Sequence, residues 1–201
     1  MKSLFLALSL VSFGAFATSA KVEATASQEK SYNVENTSKV VWLGKKIGGE
    51  HTGTVAIKGG SLKFDKKNFV GGDFEVDMTS ITVTDIKDAE YNAKLVGHLK
   101  NDDFFSVEKN PSATLKIKSA KKVKGSTYDV VGDLTIKGIT NEVTFKVDIK
   151  DSAKEVKAKA KLVFDRTKFK VEYNSGKIFP SIGDKLIYDD VELNVELMAK
   201  K

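Results

Sequence analysis

Apolar residues at every second position, in run after run, constrain this chain more than any other feature. Phe74, Val76 and Met78 alternate with Glu75 and Asp77. Ala113, Leu115 and Ile117 alternate with Thr114, Lys116 and Lys118. The same period carries Tyr128, Val130, Leu134 and Ile136, with Gly132 among them, and then Val143, Phe145, Val147 and Ile149. It returns in Val156, Ala158, Ala160, Leu162 and Phe164, and again in Val191, Leu193, Val195 and Leu197. Side chains of a strand point alternately to its two faces, so each run predicts a strand with one apolar and one wet face. The links are short. Lys124-Gly125-Ser126 and Lys137-Gly138-Ile139-Thr140-Asn141 read as hairpin-like turns, where glycine takes backbone angles that other residues avoid. Sequential strands joined this way form an antiparallel meander. About eight of them bury their apolar faces and leave no sticky edge by closing into an up-and-down barrel. The predicted fold class is therefore all-β, an extended antiparallel up-and-down barrel.

One segment departs from period two. From Asp88 to Lys100 the apolar residues take helical spacing, with Tyr91, Leu95 and His98 on one face and Leu99 beside it. Asp85 or Asp88 supplies a cap for its start. Asn101-Asp102-Asp103-Phe104-Phe105 follows, and Asp102 is expected to cap the turn that presents the two phenylalanines. Residues 88–105 read as a short helical lid with a greasy inner side. His98, Asp102 and Asp103 would then mark where an apolar interior meets water.

The chain begins with Met1-Lys2-Ser3, then an apolar run from Leu4 to Ala17, then small residues to Ala20. That is the pattern of a cleavable signal peptide over residues 1–20, cut after Ala17 or after Ala20. The run is too short to span a bilayer comfortably, and no later segment is apolar enough to do so. The mature chain is expected to be soluble and exported to the periplasm. Residues 21–30 lack periodicity and read as a flexible tail. Residues 31–201 then make one domain, long enough for a real core. With no cysteine, that core depends on packing and backbone pairing.

The formal net charge is +6, and Arg166 is the only arginine. Arginine's planar fork is what reads phosphates and base edges, so nucleic acid is not an expected partner. Lysines spaced along strands describe a solvated face, with a weak pull toward anionic membrane surfaces. His51 and His98 are the two histidines, and neither belongs to a metal-spaced pair, so no metal is expected. No serine sits in a Gly-x-Ser-x-Gly elbow. Gly44-Lys45-Lys46-Ile47-Gly48-Gly49 lacks the ending of a phosphate loop and reads as a turn between strands. Asp102 and Asp103 are adjacent, so they do not face each other across a substrate. Asn36-Thr37-Ser38 is a formal glycosylation sequon. No catalytic residue and no cofactor is expected. A lone arginine marks a position that needs fork geometry. Arg166 either pairs with Asp102 or Asp103, or meets the anionic head of a ligand.

Strands of roughly ten residues make a barrel on the order of 30 Å tall. Eight strands or so leave an interior just wide enough to fill with side chains or to hold one small ligand. Gly132, Ala113, Ala158 and Ala160 fall on inward positions, where small residues leave an elongated apolar tunnel. The alternative is that Phe74, Phe145 and Phe164 fill those gaps, since interiors normally close-pack.

Three stretches carry a family resemblance: Gly97-His98-Leu99-Lys100-Asn101-Asp102-Asp103-Phe104-Phe105-Ser106-Val107-Glu108-Lys109-Asn110-Pro111, then Gly132-Asp133-Leu134-Thr135-Ile136-Lys137-Gly138-Ile139-Thr140, then Asp165-Arg166-Thr167-Lys168-Phe169. In this order, within a match from about Tyr32 to Leu197, they resemble the signature of the YceI family. The first strands, Val40 to Gly53, depart from the histidine-containing motif that many members carry there. The resemblance implies a lipocalin-like barrel that binds a long isoprenoid or other lipid-like chain in a central tunnel, commonly in the periplasm. The expected lining is Trp42 from the first strands, then Phe74, Val76 and Met78. The lid adds Leu95, His98, Phe104 and Phe105. Later strands add Leu115 and Ile117, Leu134 and Ile136, Phe145 and Val147, and Leu162 and Phe164, with Arg166 at a mouth. The expected partner is an isoprenoid, quinone or fatty-acid-like lipid, and the oligomeric state stays open. A carrier is the first reading. The alternatives are an envelope stress or structural protein acting through a protein partner, and a lipid-modifying enzyme with His98 and Asp103 as acid and base.

Overall fold

Strands with one apolar face bury it most completely by curling around each other, and this chain does so. The computed structural model describes residues 29–201. The expected signal peptide, its two cut sites and residues 21–28 of the expected tail lie outside the described residues. The strands are β1 (Glu29–Asn33), β2 (Lys39–Lys46), β3 (Gly49–Asp65), β4 (Asn68–Asp77), β5 (Ser112–Lys124), β6 (Thr127–Ile136), β7 (Ile139–Asp151), β8 (Glu155–Asp165) and β9 (Ile187–Lys200). One helix, α1 (Ala89–Lys100), interrupts them between β4 and β5.

From β2 to β9 each strand pairs antiparallel with its neighbour in the chain except across the seam, where β2 pairs with β9 and closes the ring. The result is an eight-stranded barrel with β1 as an extra strand. β3 is long enough to pair with β2 along its first half and with β1 along its second. Val34 bridges to Ala199 of β9, so β1 continues the seam below β2. The kink between them is held by Glu35 N–H on the Met198 carbonyl and by Met198 N–H on the Ser38 hydroxyl. Glu29 and Lys30, read from the sequence as tail, pair with Asp65 and Phe64 in β1. Backbone pairing needs no apolar alternation, and only Tyr32 of this strand packs inward, which is why the pattern gave no sign of it.

The turns are as the glycines indicate. Lys137 and Gly138 both have positive φ, 51° and 71°, the geometry of a tight two-residue hairpin link. Gly48 has φ 77° in the turn between β2 and β3.

The core is layered along the barrel. At the end away from α1, Tyr32, Phe64, Phe69 and Tyr128 form an edge-on chain with ring centroids 5.7 Å apart, and Leu62, Val130 and Val156 seal the space around it. Val40, Met78, Leu134 and Phe164 occupy the middle. Trp42, Ile81, Val83, Leu99, Phe104 and Val171 pack under α1.

Asp88 caps α1, accepting from the Glu90 and Tyr91 amides at 3.0 Å each. The inward stripe is Asn92, Leu95, Val96 and Leu99 rather than Tyr91, Leu95 and His98. Tyr91 is 65% exposed, and Leu99 is the buried residue of the helix. The Asn92 side chain explains the rotation. Its amide donates to the Val83 and Ile86 carbonyls at 2.9 and 3.0 Å, which would otherwise be left under the helix without partners.

An apolar tunnel under a capped mouth

Inward side chains do not fill the barrel. One cavity is lined by Leu62, Phe69, Phe74, Leu115, Ile117, Phe145, Val147, Ala158, Ala160 and Leu162, with Thr114 as its one polar residue. A second lies toward α1 and is lined by Trp42, Met78, Ile81, Leu99, Phe104, Phe105, Ile136, Phe164 and Arg166. The two share Val40, Val76, Ala113, Leu134 and Leu193, so they meet at a waist.

The small residues act unevenly. Ala113, Ala158 and Ala160 do face the cavities. Gly132 does not enlarge them. A Cβ there would lie 3.0 Å from the Lys116 carbonyl and 3.2 Å from the Leu115 side chain, so its bareness lets β5 come close across a bulge.

The cap is held by a few polar contacts. Trp42 Nε1 donates to the Thr82 carbonyl at 3.0 Å, across a point where only glycine fits: a Cβ on Gly53 would fall 1.8 Å from that same oxygen. Asp85 accepts from the Thr52 amide at 2.9 Å and sits 2.8 Å from His51 Nδ1. Asp85 is thus a clasp to β3, and Asp88 alone caps the helix.

Most of the residues expected to line a tunnel are brought together around it. Trp42, Phe74, Val76, Met78, Phe104, Phe105, Leu115, Ile117, Leu134, Ile136, Phe145, Val147, Leu162, Phe164 and Arg166 all border one cavity or both. Leu95 and His98 do not. Leu95 packs in the layer beneath α1. His98 lies outside the tunnel, edge-on to Phe104 at 4.8 Å and to Tyr173 at 4.6 Å, with Nε2 3.3 Å from Asp103. The helix rotation that turns Asn92 inward also turns His98 outward. Asp102 does not cap the turn before the phenylalanines. Asn101 does, accepting from the Asp103 amide at 2.9 Å, while Asp102 holds Ser106 Oγ and Lys109 Nζ.

Arg166 pairs with neither Asp102 nor Asp103. It is 2% exposed and spreads its fork over three backbone carbonyls, Val171 at 2.8 Å, Ile187 at 3.0 Å and Tyr188 at 3.2 Å. Asp189 lies 3.4 Å from Nη2. Burial lowers the Arg166 pKa, opposed by Asp189 and then Asp165, yet a guanidinium is basic enough to stay charged. The fork ties Val171, in the link between β8 and β9, to the start of β9, where its pairing with β2 shifts register.

Several lining residues escaped the sequence reading. Val40, Val55, Ile57 and Ile81 belong to β2, β3 and the cap. β3 shifts register between Ile57 and Gly59, so Val55 and Ile57 point inward on odd numbers and Leu62 and Phe64 on even ones. Val40 and Trp42 alternate in β2 and were the signal available there.

The fold and cavity define a class, a closed antiparallel barrel enclosing an apolar tunnel. The chain belongs to the YceI-like domain family, whose model matches residues 32–199. Among solved structures it is similar to Burkholderia cenocepacia BcnA, at 24% identity and TM-score 0.65, covering 83% of this chain and 99% of that one. It is also similar to a polyisoprenoid binding domain from Saccharophagus degradans, at 15% identity and TM-score 0.62, covering 84% and 97%. The Campylobacter jejuni YCEI protein gives 24% identity and TM-score 0.52 over 67% and 74%. These likenesses show a shared fold. No curated protein matches the chain.

Proposed function

We propose that this protein binds a long isoprenoid or similar lipid-like chain in the tunnel and carries or sequesters it in the periplasm. One observation carries the reading: two apolar cavities meeting end to end inside a closed barrel. Burying a methylene is worth about 0.8 kcal/mol, so a long chain gains affinity from length without polar contacts. The polyisoprenoid binding reported for the Saccharophagus degradans domain supports the same class of ligand. The signal-peptide pattern of residues 1–20 supports export. A binder rather than an enzyme fits a lining in which Arg166 is the one charged side chain, already committed to backbone carbonyls.

Native mass spectrometry of protein purified from its own periplasm without detergent tests this. A discrete added mass that extracts as a long-chain lipid is the expected result. A bare mass that persists after ubiquinone, farnesol, solanesol and palmitate are offered would overturn it.

A further inference from the structure

The tunnel ends blind on the side away from α1. Side chains on one face of a strand recur at every second residue, so the inward residue below each lining position is two places along. Below Ala158 on β8 it is Val156, below Leu197 on β9 it is Ala199, below Val147 on β7 it is Ile149 and below Leu62 on β3 it is Phe64. Val156 and Ala199 are 0% exposed, Phe64 2% and Ile149 6%, and all four lie outside both cavities. Residues this inaccessible have close-packed neighbours on every side. The ring they form is a floor, not a passage.

Phe69 and Leu62 form the upper face of this floor. Both border the lower cavity, and each is 1% exposed. Phe69 stands edge-on between Phe64 and Tyr128, with ring centroids 5.7 Å away on either side, and its N–H donates to the Tyr128 hydroxyl. The floor is thus held in place by packing on both sides of the Phe69 ring. It is also apolar toward the cavity. Thr114, the one polar residue bordering that cavity, lies on the wet face of β5 and is exposed. A polar head pushed to this end would leave water without gaining a partner, whereas an apolar tail has no hydrogen bonds to lose. The depth above the floor is limited. Ala158 borders the lower cavity and Phe164 the upper, about 20 Å apart along β8 at roughly 3.3 Å per residue.

We propose that this floor gauges chain length: affinity rises with each carbon until the tail meets Phe69 and Leu62, and stops rising there. The inference rests on the tunnel reading above and names the residues that set its length preference. Each methylene taken from water into the tunnel multiplies affinity about fourfold. A methylene added after the tail has reached the floor stays outside the barrel and adds nothing.

Pairwise competition read by native mass spectrometry tests the gauge. The delipidated mature protein is offered neighbouring members of the saturated series laurate, myristate, palmitate, stearate, arachidate, behenate and lignocerate. The longer acid of each pair is expected to win about fifteenfold, two methylenes at a time, up to a break beyond which the pair binds equally. Phe69→Ala removes the face of the floor and is expected to move the break to a longer acid. Ala160→Leu is expected to move it to a shorter one. Ala160 borders the lower cavity one inward step above Ala158 and is only partly buried, so the larger side chain enters open space and keeps the floor contacts. That variant decides the matter where Phe69→Ala does not fold, as judged by its melting curve. Lys159→Ala, on the wet face of the same strand, is expected to leave the break where it is. A break that stays at the same acid in a folded Ala160→Leu protein overturns the proposal, as does equal binding of every pair in the wild type. Either result leaves the tunnel reading standing, because chains are still bound. A protein that stays bare with every acid and with solanesol sinks the tunnel reading and the gauge with it.

Discussion

Arg166 shows what a single residue type reveals and what it hides. Its singularity among lysines marked a place where fork geometry matters, and the fork is indeed fully used. Its partners were illegible because they are backbone carbonyls of residues 171, 187 and 188, and carbonyls leave no mark on a sequence. The consequence is testable. Arg166→Lys supplies one ammonium where a planar group served three carbonyls. Two of those acceptors lose their partner, at about 1–3 kcal/mol for a buried one and less for the part-buried Ile187 and Tyr188 carbonyls. We expect a loss of about 2–4 kcal/mol in chemical denaturation, with any copurified chain still bound while the protein is folded. Unchanged stability with lost chain retention would instead make Arg166 the anchor of a ligand head. Gly132 carries a similar lesson. Its inward position was visible, but whether a bare position opens space or admits a neighbouring strand depends on a bulge in β5 that local pattern does not show.

At the scale of elements, period two located β4 to β9 because those strands hold their phase over most of their length. β3 was missed because its bulge exchanges the inward and outward sets midway. The span of α1 was legible from its spacing and cap, while its facing was decided by Asn92 and two carbonyls from another segment. The cap as a whole is fastened to β3 by Thr82 and Thr84, whose amides donate to the Thr54 and Thr52 carbonyls, and by Asp85. Burial pushes the Asp85 pKa up, but the Thr52 amide and the His51 ring outweigh it and hold the carboxyl below its ordinary value. A depressed carboxylate adds stability above its unfolded pKa of about 3.9, and that stability is lost as pH falls through the lower folded value. Acidification below about pH 4 should therefore loosen the cap before the barrel. Hydrogen-exchange protection at the Thr82 and Thr84 amides is expected to fall over that range while protection in β7 holds. Asp85→Asn should start with lower protection and lose this pH dependence. An unchanged pH profile in that variant would show that the clasp does not fasten the cap.

For the whole molecule, closure was readable because many half-apolar strands with tight turns have few other ways to bury their faces. The tunnel was not readable from pattern alone, since the same inward residues permit a filled core or an open one, and only the family resemblance favoured the open form. The decisive geometry is the waist. Ala113 is 6% exposed, belongs to the middle core layer and borders both cavities, so a larger side chain there has open space on either side to enter. Adding volume to a packed core strains it by about 1–3 kcal/mol, but adding it to a void restores lost contacts. Ala113→Phe should therefore fold with stability near that of the wild type and divide the tunnel in two. Solanesol, long enough to need both cavities, is expected to lose its binding, whereas farnesol, short enough for one, is expected to keep it. Native mass spectrometry with each alcohol, beside a melting curve of the apo variant, reads both effects. Equal retention of the two chains in a folded Ala113→Phe protein would mean that the chain does not thread the waist, and that the cavity under the cap alone is the binding site.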